Sequence, residues 1–599
     1  MKRIFAILLC LATLLTGLVG CANKNDEGPT IDIYMDETYS FDPALAYNDT
    51  GAAQMLSLTY EGLFKLSAKG SVKKALCSDY KIKKNDDGSQ TLIIKLGESY
   101  WSDGVQVDAA DFVYAWNRII DPEFKCEAAS LLFPVKNAVE VKNGNISIDD
   151  VGFYSSGTYE ITINLEKGVD AKTFLSNLTS VALYPLRKEV VRSVKDENWG
   201  SLAAVLVANG PFYVKAFDLV EEEGNEESQL TILERNQYYR REPDAESALS
   251  KYVKPYRLRV HHVSPEKAYE MYQKGKISFT SEIPLAKRKE LLKKVELIDN
   301  MFTYSYMFNT ANELFANADV RKALSISIDR NKIEEIVVFA EAADSLISEG
   351  VYETKKGTSF HQSLISTSAK FKEAEDLIKK AGAKGKKFTL AIYDDPTDIA
   401  VAKYCVEVWK KLGLNVDYKT YGFYGYDYTE KALKTDDKGN RYWADELIYA
   451  NVCGDELRDL YNSGKFDVIA VNYNMLSSDA FAVLAQFAPK YSGGAYDLSV
   501  SSEEWPYILH TSAYNSEKYA KLIDEAHKST DPEKRAEKLK EAEKLLVKDD
   551  CVVVPLYFGK TAYLSAKNVK KISHTSNGLL VWTVAKDKNY KPVKKEKAE

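Results

Sequence analysis

Carboxylates supply the first candidates for chemistry. The stretch Trp101–Pro122, WSDGVQVDAADFVYAWNRIIDP, crowds Asp103, Asp108, Asp111 and Asp121 with two tryptophans and a tyrosine into one turn and one helical run. Facing carboxylates can divide general-acid and general-base roles. The spacing here favours a plainer use. Ser102-Asp103-Gly104 is a turn cluster, and Asp108 followed by Asp111 puts acceptors where the first free N–H groups of a helix need them. Phe112, Ala115, Trp116, Ile119 and Ile120 recur at helical spacing, and Asp121-Pro122 ends the run because the residue before proline leaves the helical region. At about 100° per residue, Tyr114, Asn117 and Arg118 fall on the other face. That face meets either a ligand or a domain, or is simply exposed.

Other catalytic patterns are absent. The chain has no GxSxG elbow, no P-loop and no GxGxxG following a strand. Its six histidines (261, 262, 361, 510, 527, 574) lack HExxH spacing, and His261-His262 sit in a predicted strand where neighbours point to opposite faces. The cysteines at 10, 21, 77, 126, 405, 453 and 551 form no CxxC pair. Neither a metal nor a cofactor is expected. A hydrolase would need two carboxylates brought together by the fold, which sequence order does not show.

The 599 residues suggest two to four packed units at about 150 residues each. Lysine plus arginine number 80 against 87 aspartates and glutamates, a net charge of -7, which argues against a nucleic-acid binder relying on a global basic field. The 39 tyrosines suit a binding surface but also serve as strand and core residues. Lys2 and Arg3 precede an apolar run, Ile4 to Val19, too short to span a bilayer comfortably. With Leu18-Val19-Gly20-Cys21 it resembles a bacterial lipoprotein signal over residues 1–20, which implies cleavage before Cys21 and a diacylglyceryl anchor on that thiol. Residues 21–30 then form a polar tether.

Short β-rich runs alternate with helical ones, so the class is mixed α/β. QTLIIKLGE and TYEITINLE read as antiparallel strands. AKYCVEVWKKLGLNVDYKTY reads as a helix ending near Gly413 and then a strand. The acidic run at 221–227 fits a hairpin loop, residues 528–550 an amphipathic helix, CVVVPLYFG a buried strand, and the stretch from Lys586 a charged tail.

Six separated stretches then carry a resemblance: YEGLFKL at 60, the 101 stretch, NGPFYVKAF at 209, LERNQYY at 233, FNTANELFANADVRKALSISIDR at 308 and VVVPLYF at 552. The chain resembles extracytoplasmic solute-binding proteins of the oligopeptide-binding family, receptor subunits of ABC importers. That implies the α/β two-lobed clamp of periplasmic binding proteins (class II, cluster C type) with an extra domain inserted in the first lobe. Lobe I would take 30–66, 190–300 and 551–599, the extra domain 67–189 and lobe II 301–550, with hinge strands near Tyr304 and 545–555. It implies a binding protein rather than an enzyme, capturing an extended peptide or another small solute and delivering it to the permease as a monomer anchored through lipid on the outer face of the cytoplasmic membrane, periplasmic if the cell has two membranes.

The resemblance places Tyr114, Tyr304, Tyr306 and Asn309 near the cleft and hinge. Many peptide-binding members carry a tryptophan and an aspartate in the run corresponding to Asn472–Ala480, the aspartate holding the ligand's α-amine. Here the tryptophan is Tyr473 and the aspartate is Leu476, with Asp479 a weaker substitute. Tyr473 and Asn474 complete the candidate ligand set. The altered run admits a non-peptide solute such as a glycan, and the aromatic, acidic segment 421–465 either rebuilds the pocket or is a surface insertion.

Overall fold

The computed structural model describes residues 28–36, 38–194, 199–223, 226–239, 253–353, 358–435, 441–475, 477–493 and 509–591. The signal run, Cys21, most of the tether and Leu476 lie outside the described residues. Among the described residues no helix is long and apolar enough to cross a membrane.

Two long strands organise the molecule. Glu296–Phe308 and Val553–Ser565 pair antiparallel, and their register slips between Asp299 and Thr303. Around them an eleven-stranded sheet runs in the order Asn415–Tyr421, Lys387–Tyr393, Val468–Asn474, the two long strands, Phe279–Thr280, Thr30–Tyr34, Arg257–His262, Glu226–Arg235 and Phe212–Glu223, with Ala340–Ala342 paired to Val553–Ser565. The slip divides it into two half-sheets, one per lobe. A bulge bends the strand that carries it, so a sheet that must serve two lobes is interrupted there. Gly559 sits at the crossing, where any Cβ would collide with the Phe302 ring. Only glycine fits.

The extra domain is a four-stranded antiparallel sheet, Cys77–Lys84, Gln90–Leu96, Glu160–Asn164 and Phe153–Gly157, covered by the helix Ala109–Ile120. That helix starts as its caps dictate. Asp108 accepts from Ala110 N and Asp111 N, while Asp111 accepts from Asp108 N at 3.1 Å and from Trp101 Nε1 at 2.9 Å. Burial pushes the Asp111 carboxyl up to about 6. The opposite face is a domain contact: Arg118 makes a paired bond to Asp42 at 2.7 and 3.0 Å, and Arg192 lies 6.0 Å from the centre of the Tyr114 ring.

The largest apolar cluster joins the extra domain to residues of the 480–547 segment. Phe133 meets Tyr491 at 5.7 Å between ring centres, and Ser130 Oγ donates to Ala482 O at 2.6 Å. A second cluster under Tyr306, Phe388 and Trp409 packs the helix Pro396–Lys411 on its half-sheet. The acidic hairpin strands extend as far as Glu223 and Glu226. Residues 423–435 and 441–455 form a long hairpin paired only with itself, so most of the 421–465 segment stands off the sheet.

Candidate functional site

A cavity of about 730 Å³ lies where the two half-sheets meet, lined from both. Its volume is in the range of small-molecule sites. Strand ends and helix starts build the walls. From the first lobe, Asp36 follows the strand Thr30–Tyr34 and accepts from Tyr34 Oη at 3.0 Å; Asp49 caps the helix Thr50–Thr59; Glu282 follows Phe279–Thr280. From the second, Asp394 and Asp395 follow Lys387–Tyr393, and Asp395 caps Pro396–Lys411 by accepting from Thr397 N at 2.7 Å and Asp398 N at 3.1 Å. Asp398, in the first turn of that helix, is 8% exposed.

Among the described residues two cations reach the cavity wall, and both are committed. Arg288 donates to Glu282 at 2.8 Å, Thr397 Oγ1 at 3.0 Å, Ile283 O and Val337 O, clasping one lobe to the other. Lys560 turns to Asp299 at 3.1 Å and Glu341 at 2.6 Å. Burial raises the Asp398 carboxyl far above the usual carboxylate range, and the adjacent Asp395 adds to it. Burial likewise brings Asp49 up to about 7. Glu282 is raised by burial against the pull of Arg288.

Aromatic rings fill the gaps. Tyr304 stacks on Tyr557 at 4.9 Å, and Phe423 lies between Tyr39 and Tyr393, 6.2 Å from each. The halves are closed on each other. Asn474 Nδ2 donates to Asn48 O at 2.7 Å, Arg458 donates to Leu45 O, and Glu127 accepts from Tyr461 Oη at 2.5 Å with His510 Nε2 at 3.3 Å.

Of the residues singled out from sequence, Tyr304 and Asn474 line the cavity. Tyr114, Tyr306, Asn309 and Tyr473 do not. Strand alternation explains Tyr473: Asn472 and Asn474 face the cavity, so the residue between them points away, its ring 5.9 Å from Phe487 and its hydroxyl on Met307 Sδ. Tyr306 shares a strand face with Tyr304 but lies two residues deeper, in the core beside Trp409. Asn309 is occupied, donating to Gly464 O and Phe466 O. Tyr114 lies on the extra-domain helix under Arg192. Asp479 is held by Arg535 at 2.7 and 2.9 Å and lies off the cavity. Among the described residues of the 421–465 segment, those that reach it are Tyr421 to Phe423 at its base.

Sequence reasoning missed Asp36, Asp49, Glu282 and the Asp394-Asp395-Asp398 group. The available signal was YDDPTD, a strand end running into a helix start, the edge at which open α/β sheets place ligands. Among the described residues no group of histidine, cysteine or carboxylate side chains could hold a metal ion. Cys77, Cys126, Cys405 and Cys551 are buried and free.

Two lobes sharing paired crossing strands around a cavity lined from both define a clamp-type binding protein. Residues 71–495 match the family described as bacterial extracellular solute-binding proteins, family 5, middle, and the chain belongs to that family, one of binding proteins rather than enzymes. It is 25% identical over 586 residues to the oligopeptide-binding protein OppA of Bacillus subtilis, covering 94% of each chain. Among solved structures it resembles Listeria monocytogenes OppA bound to peptide, with TM-score 0.73, 19% identity and coverage of 94% of this chain and 99% of that one. It also resembles the murein tripeptide binding protein MppA of Escherichia coli, with TM-score 0.71, 22% identity and coverage of 94% and 99%.

Proposed function

We propose that the chain is the lipid-anchored receptor subunit of an ABC importer, capturing a short extended peptide between its lobes and handing it to the permease. The observation that carries this reading is the cavity itself, walled by both lobes at the crossing of the paired strands. A ligand there touches both halves, so it favours the closed form by its differential contacts, with no covalent step. Tyr304, on one crossing strand, and Asn472 and Asn474, on the neighbouring strand Val468–Asn474, are the proposed ligand-facing residues, and their hydroxyl and amide groups suit the main chain of a peptide. Cys21 is the proposed anchor, holding a monomer on the outer face of the cytoplasmic membrane.

Native mass spectrometry of protein isolated from its host tests the reading. A mass increment that resolves into peptides supports it. A copurified glycan with no peptide overturns it in favour of a different solute in the same clamp.

A further inference from the structure

Away from the cleft, lysines gather on one face of the first lobe. Residues 567–591 carry six of them, Lys567, Lys570, Lys571, Lys586, Lys588 and Lys591, all exposed, in a chain whose net charge is -7. Among the described residues none of the six has a carboxylate within ion-pair distance. The one carboxylate in that run, Asp587, is occupied, accepting from Asn568 Nδ2 at 2.9 Å and Asn589 N at 2.8 Å. Beneath the lysines, Val569, Trp582 and Ala585 pack in one apolar cluster with Ile31 and Leu258, so the basic face is built onto the strands of the first lobe.

Two further observations point outward from this face. The short strands Val569–Lys570 and Lys586–Asp587 pair so that Lys570 stands directly opposite Lys586. Like charges in that position repel, and a partner of opposite charge relieves the repulsion. The other observation is where the chain emerges. Gly28 N donates to Tyr590 Oη at 3.2 Å, so the first described residue lies against the basic run. Residues 21–27 lead from there to the proposed lipid on Cys21 and reach no more than about 25 Å when fully extended. A face at the root of so short a tether is turned towards the bilayer. Val584, 41% exposed, adds an apolar side chain beside Lys586.

We propose that this lysine face docks on anionic phospholipid headgroups, laying the first lobe on the bilayer and leaving the second free to close. The proposal rests on the lipid-anchored reading above and adds a second contact to the anchor. The two contacts complement each other: acyl chains supply apolar burial, and lysines supply an attraction that acts over about 8 Å at physiological salt. The tether alone allows the clamp any orientation within its reach. The basic face selects one.

Cosedimentation of the mature chain carrying C21S, which has no lipid, tests the face by itself. Binding to vesicles of equal parts phosphatidylglycerol and phosphatidylcholine should exceed binding to phosphatidylcholine vesicles at least about tenfold at low salt, and high salt should abolish the difference. The variant K570E/K588E/K591E should lose the preference, whereas K372E/K379E/K403E, the same change of charge on exposed helix positions of the second lobe, should keep it. K570E alone sets a carboxylate opposite Lys586, so it should weaken vesicle binding while the melting temperature holds or rises, which separates lost docking from lost folding. Equal binding to both kinds of vesicle overturns the proposal. An equal loss in the two triple variants also overturns it, since the response would then be to net charge alone. The anchor is read separately, as a diacylglyceryl mass increment on the parent chain isolated from its host; its absence sinks the anchored reading, while the vesicles still decide the basic face.

Discussion

Buried carboxylates are treated in opposite ways in the frame and in the cleft. In the frame Asp42, 1% exposed, receives both terminal nitrogens of Arg118. Asp479 receives the same fork from Arg535. Glu543, fully buried and without a cation, instead accepts from Leu346 N at 3.0 Å, Ile347 N at 2.8 Å and Gln362 Nε2 at 2.9 Å. In the cleft, the buried Asp398 has no cation and is raised far above the usual carboxylate range, while the half-buried Asp395 spends its acceptors on a helix start. An uncompensated buried charge is costly, so the frame pairs or bonds its carboxylates while the cleft holds Asp398 in its neutral form beside the Tyr304 hydroxyl. The difference separates architecture from site more sharply than composition does.

The comparison breaks most visibly on the frame side. Arg118→Ala strands Asp42 in the core and should cost about 3–5 kcal/mol, read as a lower midpoint in urea unfolding. An unchanged midpoint would mean that water reaches Asp42 and that frame and cleft are not so different. Glu543 gives the next effect. Burial brings its carboxyl up to about 7 from 4.5, so the folded chain holds a proton that the unfolded one releases. Its contribution to stability is complete below the unfolded value and is lost as the pH rises through the folded one. Glu543→Gln should therefore remove about 2 kcal/mol of the fall in stability between pH 5 and pH 8, and a pH profile identical to that of the parent chain would refute the assignment.

In the cleft the same linkage applies to Asp398, which burial also raises. Asp398→Asn removes a carboxyl whose proton the folded chain holds and the unfolded one releases, so thermal unfolding of ligand-free protein should show a smaller fall in stability between pH 5 and pH 8 than in the parent chain. A large destabilisation would show Asp398 to be a frame residue after all. The smallest effect belongs to the surface: Lys332, 2.7 Å from Glu335 across one helical turn, should be replaceable by alanine with no measurable change in melting temperature.

Much of the frame was legible along the chain. The Ala109–Ile120 helix begins at its aspartate cap and ends before Asp121-Pro122, because caps and proline act through neighbours a few residues away. The predicted strands at Gln90–Leu96 and Glu160–Asn164 form and pair with each other. The predicted helix and strand before and after Gly413 form as Pro396–Lys411 and Asn415–Tyr421. The cleft was harder to read. Aspartates that cap helices also line the cavity, so Asp49 and Asp395 carried a complete local explanation that concealed their second use. That Tyr473 lies off the cavity was hidden for a related reason: a position within a motif does not reveal which face of its strand is buried.

The sequence by itself determined the α/β class, the local elements and the order of motifs that mark the family, since each follows from periodicity, capping or short-range contacts. Only the tertiary structure decided which carboxylates are paired. Asp42 meets Arg118 across 76 positions, and Asp36 and Asp395 face each other from different lobes. Electrostatic interaction depends on distance in space and on exclusion of water, and neither quantity is written in the spacing of residues along a chain.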